Sequence, residues 1–410
     1  MTNEKKGKVP AMYDLVIKGG RLLDPATGTD GVLDVAITGD RIADIGPGID
    51  VTNAARVIDA GGKVVTPGLI DLHAHIAGDL RKGVREDLML LPDAAGVSAG
   101  CTTVIDGGSI GAYNAAGFVN FTVPRSRTRV LAFLNVGRLG VISNPEVRDE
   151  TDLDHEASVA AIKGCGDVIC GVKFRMVSPA VPNLGIDLAL AAKRIADEAS
   201  VPMMVHVGDI MGDHPRAGEL TPQLLTEVLR AGDIVTHALS FHVGALLDDG
   251  RVLPEAQDAQ DRGVVFDIGV GRSNFSFEAA RKILDQGFMP DTLSSDLTPM
   301  SRFAGPNHSL MECMGKVMSL GLTLEDVIRM TTAAPAKALG LAAEIGALVV
   351  GRVADVSVLE VVEGDWLFHD VTGGTNVGSQ AVKPVGCVRA GEVMPIDYGP
   401  HSWGWLPETA

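Results

Sequence analysis

The sequence predicts an α/β chain: a (β/α)8 barrel flanked by two β-rich segments that join as a small sandwich. Three observations predict it. Both ends carry short strand-like runs punctuated by Gly and Asn. Between them, eight apolar runs are separated mainly by amphipathic stretches. The 410 residues suffice for a barrel with a smaller domain beside it. Periodicity does not show closure, so an open doubly wound sheet stands as the alternative.

In the first segment, residues 1–66, Tyr13–Lys18, Val32–Ile37, Arg41–Ile45 and Val57–Asp59 read as strands between Gly-rich turns. The barrel is expected over residues 67–344. Its strands are placed at Leu69–His73, Thr102–Ile105, Val130–Asn135, Val168–Phe174, Met203–His206, Ile234–His237, Val264–Ile268 and Thr292–Ser295. The helical stretches are Glu86–Ala99, Asp154–Gly164, Ile186–Ala199, Thr221–Ala231, Phe277–Gln286, Leu310–Leu320 and Thr323–Thr331. Residues 345–410 return to β character in Ile345–Glu360 and in two runs within Val382–Val393, which are expected to pair with the N-terminal strands.

Composition narrows the function classes. A hydrophobic fraction of 46%, 49 glycines and 4% aromatics suit a folded α/β chain whose core is built from aliphatic residues. A formal net charge of -17 argues against nucleic acid as the main partner, because phosphate binding needs a basic surface. The five cysteines are scattered without a CxxC pair, which suggests neither a disulfide framework nor a thiolate zinc site. The leader Met1–Pro10 is basic but runs into no apolar stretch, and no run reaches membrane-span length. A cytoplasmic enzyme acting on a small molecule is expected, with no membrane partner.

The chemistry is carried by residues at strand ends. Asp71-Leu72-His73-Ala74-His75 closes the first barrel strand, and residues two apart share a face, so His73 and His75 both point into the barrel mouth. An HxH pair alone is also compatible with two ordinary polar residues at a strand end. Lys173 lies inside an apolar strand, where an unpaired ammonium is costly unless its stem snorkels to the core edge. His206, His237 and Asp296 each end or follow a different strand, on the carboxyl-end face where barrel active sites form. Imidazole nitrogen with carboxylate oxygen suits zinc or a similar divalent ion.

The order HxH, Lys, His, His, Asp resembles the binuclear amidohydrolase superfamily. The segments KVVTPGLIDLHAH, AGCTTVID and IGALVVGRVADVSVLE are similar to its entry to strand 1, its second strand and its return to the sandwich. The resemblance implies a distorted (β/α)8 TIM barrel with the sandwich formed from both chain ends, and a homo-oligomer is expected of such a barrel. It implies that His73, His75 and Asp296 hold the more buried of two divalent ions, zinc by expectation, and that His206 and His237 hold the more exposed one. Lys173, carboxylated by CO2, would bridge both, and Asp296 would shuttle the proton of a metal-bridging hydroxide to the leaving group. No GxSxG occurs, in keeping with a nucleophile made from water.

Candidate substrate contacts are Arg175, which shares the inward face with Lys173, and Arg272 and Asn274 in a substrate loop after strand 7. A rim salt bridge is the alternative for Arg175. Ser109, Tyr113 and Asn135 are candidate pocket-lining residues; Asp106 and Asp267 are candidate partners of the ligating histidines, or plain structural hydrogen-bonding groups. His242 is expected beyond metal reach, and His155, His214, His308, His369 and His401 at the surface or in supporting positions.

GVKFRMV, VHVGD and THALSFH are most similar to the deacetylase-like branch of the superfamily often labelled dihydroorotase. Members of that branch resemble enzymes that remove acyl groups from α-hydroxy or α-amino acids, such as acetyl-(R)-mandelate. The resemblance therefore implies hydrolysis of an N-acyl amino acid or O-acyl 2-hydroxy acid. A cyclic amidase of dihydroorotase or hydantoinase type is the alternative. Against it, Ile76-Ala77-Gly78 replaces the Arg expected after HxH, and no Tyr follows Lys173 closely. His206-Val207-Gly208-Asp209 lacks the HxxE expected of deaminases. A non-catalytic protein on the same fold is the second alternative, which the complete ligand set disfavours.

Overall fold

The structure is a computed structural model that describes residues 13–78 and 89–410. Seven parallel strands follow one another in chain order around a single sheet. They are Leu69–Ala74, Cys101–Asp106, Arg129–Asn135, Ile169–Arg175, Met203–His206, Ile234–Thr236 and Val265–Asp267. Their runs are almost wholly buried, as strands covered on both faces must be.

The eighth expected strand, Thr292–Ser295, is not a regular one. Residues 292–297 reach the seventh strand through a parallel bridge at Asp267–Thr292 and the first through another at Ala74–Leu297. The ladder is interrupted because two of its N–H donors are taken elsewhere, Leu293 by the Met330 carbonyl and Ser295 by a carboxylate, and carboxylates hold its hydroxyls as well. Asp71 takes both the Ser295 N–H (2.9 Å) and its hydroxyl (2.5 Å), while Asp267 takes the hydroxyls of Thr292 and Ser294. This segment closes the ring, and the barrel is distorted there.

Helices pack around the sheet, with several bounds differing from expectation. Of Glu86–Ala99, residues 86–88 lie outside the described ones; the remainder gives only Pro92–Ala95 and a 3-10 turn, Val97–Ala99. Gly96 interrupts it, and left-handed Gly100 caps the turn at its end. The helix expected at Thr221–Ala231 starts earlier, at Arg216, and widens into a π turn over Leu224–Val228 just after Pro222, which has no N–H to donate. The helix Pro254–Asp261 was not expected: its buried stripe is only Ala256 and Ala259. The helices His155–Gly164, Ile186–Ala199, Phe277–Asp285, Leu310–Met318 and Leu324–Thr331 lie within a residue or two of expectation.

Both chain ends build one continuous nine-stranded sheet. Val64–Pro67 pairs antiparallel with Val356–Leu359, the start of a long hairpin formed by Val356–His369 and Thr375–Arg389. The sheet has its own core, including Leu15, Ile17, Val35, Ile37, Val356 and Val388. Among the described residues, no helix is long and apolar enough to cross a membrane.

Candidate metal centre

Parallel pairing brings the carboxyl ends of all the barrel strands to one rim. The structure places His73, His75, Lys173, His206, His237 and Asp296 together there; all but His237 line a cleft of about 200 Å³, and His237 lies buried against them. The His75 Nε2 atom is 3.2 Å from Asp296 Oδ1, and His73 Nε2 is 3.5 Å from the same oxygen. Lys173 Nζ is 3.2 Å from His73 Nε2. The rings of His206 and His237 lie 4.1 Å apart, centroid to centroid.

Each ring is aimed by a bond on its far side. His237 donates from Nδ1 to the Gly269 carbonyl (2.6 Å), which leaves the lone pair on Nε2; that atom is buried and has no hydrogen-bond partner. His206 likewise donates from Nε2 to the Gly208 carbonyl, leaving Nδ1 as the lone-pair atom. His75 Nδ1 meets the Ser109 hydroxyl at 2.9 Å, and Asp106 fixes Ser109 through its backbone N–H. His73 Nδ1 meets Thr236 Oγ1 at 3.1 Å, and Thr236 donates onward to Asp267 at 2.8 Å. Asp106 and Asp267 thus act on the histidines through a hydroxyl rather than directly.

The backbone is unusual at two of these residues. His237 and Asp296 have φ of 73° and 47°, positive values that cost free energy unless the surroundings impose them. Asp296 is fixed by its N–H to the His73 carbonyl (2.6 Å). Glycines make room beside the ligands: a Cβ on Gly107 would lie 1.9 Å from His73 Cδ2, and one on Gly271 would lie 2.4 Å from Asp296 Oδ2.

Burial dominates the electrostatics. It lowers the Lys173 ammonium to about 7 and the His237 imidazolium to about 4, so both are readily neutral. Burial, then the neighbouring Lys173 and histidines, also holds His73 well below its ordinary value. For Asp296 burial pushes upward, but the hydrogen bond to His75 and the charges of His237, His75 and Lys173 outweigh it, and the carboxyl stays ionised. Four imidazoles, an ionised carboxylate and a readily neutralised amine form a donor set that fits divalent metal ions. The orphaned His237 Nε2 is the clearest sign: a buried acceptor needs a partner. The described ligand atoms of His73, His237 and Asp296 all lie within 4.8 Å of one another, so His237, which the resemblance grouped with His206, stands between both sets.

The substrate candidates divide. Arg272 and Asn274 line the cleft, and Asn274 Nδ2 is 3.4 Å from Asp296 Oδ2. Arg175 also lines it but is committed: it binds both oxygens of buried Glu146, and Asn144 as well. Burial opposes charge on Glu146, yet Arg175 more than offsets this and keeps the carboxyl below its usual range. Tyr113 and Asn135 are not in the cleft. Tyr113 is 58% exposed and donates to Asp154, with Arg138 over its ring. Asn135 is fully buried and holds the backbone of Gly108 and Gly137. Ser109 is a buried support for His75, and His242 binds Asp213 and the Ser273 carbonyl. Thr236, Gly107, Gly271 and Glu146 were not singled out from sequence.

Residues 64–392 match the Amidohydrolase family. The chain is 30% identical over 400 residues to "Deacetylase Atu3266" of Agrobacterium fabrum, covering 96% of this chain and 95% of the relative. Two solved structures superpose with TM-scores of 0.82: a dihydroorotase (29% identity, 93% of this chain and 98% of that one) and an adenine deaminase (28% identity, 93% and 100%). With the family match over most of the chain and likeness along nearly the full length of these relatives, the chain belongs to the amidohydrolase family of metal-dependent hydrolases.

Proposed function

We propose that this enzyme hydrolyses the acyl amide or ester of a small carboxylate-bearing substrate, an N-acyl amino acid or O-acyl 2-hydroxy acid. The observation that carries it is the buried Lys173 amine set among four imidazoles and Asp296 at the floor of a small cleft, where burial lowers its ammonium to about 7. In this reading His73, His75, Lys173, His206, His237 and Asp296 hold two divalent ions, with zinc favoured by the donors. When bound, the ions supply Lewis acidity that polarises the scissile carbonyl and acidifies water.

The side chains supply the rest. The neutral form of the Lys173 amine adds CO2: an N–C bond forms, the nitrogen releases one of its two protons to solvent, and the resulting carbamate shares a single negative charge between two oxygens. Asp296 directs Oδ1 at His73 and His75 and Oδ2 at Asn274, so Oδ2 is the atom that takes the water's proton and returns it to the leaving nitrogen or oxygen. Arg272, rather than Arg175, receives the substrate carboxylate. Among the described residues no carboxylate lies in ion-pair range of Arg272, whose polar contact is the Met300 sulfur at 3.7 Å. The relative named a deacetylase supports acyl removal over ring opening.

The test is acetate release from a panel of N-acetyl amino acids and O-acetyl 2-hydroxy acids, with dihydroorotate, hydantoins and adenine alongside. Turnover of the acylated acids is expected, with KM raised about 10–100-fold in Arg272→Met, the loss of one charge-assisted contact. Activity confined to the ring amides would replace this reading with a cyclic amidase. Ammonia release from adenine alone would replace it with a deaminase.

A further inference from the structure

A second group of ligand-type side chains sits outside the barrel mouth. His308 precedes the helix Leu310–Met318, Glu312 lies in its first turn, and His401 comes from the C-terminal segment 395–410. One donor atom from each lies within 4.8 Å of the others. Glu312 is 7% exposed, and its Oε2 is buried without a hydrogen-bond partner; so is the Nε2 of His401, 3.5 Å away. His308 uses Nδ1 against the Arg302 carbonyl (2.9 Å), which leaves its Nε2 lone pair free to point elsewhere.

From this geometry we infer a separate divalent-cation site, with His308, Glu312 and His401 as ligands and zinc as the ion that suits them. Two imidazoles and a carboxylate form a familiar zinc donor set. Around a tetrahedral zinc with bonds of about 2.0–2.1 Å, donors stand about 3.3 Å apart, close to the separation of His401 and Glu312. Without an ion, Glu312 Oε2 and a protonated His401 can pair with each other across 3.5 Å, a long contact; the other cation nearby is weak, since Lys316 Nζ is 3.8 Å from the second oxygen and donates to the Pro306 carbonyl instead. Trp403 stacks on the His401 ring at 4.8 Å with planes 10° apart, which fixes its orientation. A cavity of about 740 Å³ borders all three residues and gives a water access to the fourth position. The ion fastens the C-terminal segment to the barrel. Arg272 lines this cavity as well as the catalytic cleft, so the fastened segment forms part of the surroundings of that arginine.

The site is independent of the barrel centre, and the test keeps the two apart. Tag-free chain is stripped with a chelator, saturated with zinc, freed of excess, and its metal counted by mass spectrometry. His401→Ala is expected to carry one equivalent less than the natural chain, and the same loss of one is expected in a His206→Ala background that has shed barrel metal. Equal zinc content with and without His401 overturns the inference, whatever the barrel holds. Zinc-edge anomalous diffraction on the natural chain gives a second readout that needs no variant. A peak between His308, Glu312 and His401 is expected, and its absence from zinc-saturated crystals also overturns it.

Discussion

His73 offers Nε2 to the site because its Nδ1 is engaged by Thr236, whose hydroxyl is in turn held by Asp267. Thr236→Val keeps the side chain's shape and removes that link. Metal affinity, read by competition with a chromogenic chelator, is expected to fall about 10–100-fold. An unchanged affinity would show that Thr236 does not orient His73. Lys173 supplies a pH dependence. Below about 7 its amine is protonated and cannot attack CO2; above that it is neutral. His237 sheds its proton near 4 and so does not limit the same range. With zinc present and dissolved CO2 held at one concentration across the series, reactivation of stripped enzyme is therefore expected to slow about tenfold per pH unit below 7 and to level off above it. A flat profile from pH 5 to 8 would count against an attacking lysine amine. The HxH pair, Lys173 and the strand-end His and Asp residues were legible because each is an anomaly in an apolar run. Thr236 was not, since a threonine in a strand is ordinary, and Gly107 was not, because its value lies in a Cβ that would strike a ring distant in sequence.

At the scale of elements, strands set the positions and the segments beyond them set the chemistry. Arg175 ends the fourth barrel strand, and its inward direction was readable from alternation; its partner Glu146 is 29 residues earlier in a loop and was not. Removing that partner strands a buried guanidinium. Glu146→Ala is expected to destabilise the fold by about 3–5 kcal/mol in denaturant melts, with Arg175→Met in the same chain restoring much of the loss. A change under about 1 kcal/mol would mean that the pair is solvated and contributes little. The closing segment 292–297 shows why periodicity misjudged one strand. It was read as a strand, but Asp71 captures the Ser295 N–H, Asp71 and Asp267 hold its hydroxyls, and the Asp296 N–H goes to the His73 carbonyl. Burial pushes those two carboxyls up, to about 7 and about 6, while the hydroxyls that they accept pull them back.

Over the whole molecule, the outer sheet and the barrel meet at the first strand. The Gly68 N–H donates to the Asp355 carbonyl and the Leu69 N–H to the Ser357 hydroxyl, so the C-terminal hairpin fixes where the strand carrying His73 begins. The joining of the two ends was legible from their shared β character. The length of the hairpin strands was not, because their outer halves alternate with polar residues and lack a buried run. Hydrolysis as proposed depends on strand-end side chains from across the barrel clasping metal ions around a modified lysine. Zinc-edge anomalous diffraction from crystals grown with zinc and bicarbonate tests this most directly. Two peaks are expected among His73, His75, His206, His237 and Asp296, within about 2.2 Å of ligand atoms, with density continuing past the Lys173 Nζ. A zinc-saturated crystal with no peak in that cluster and a bare Lys173 amine would contradict it.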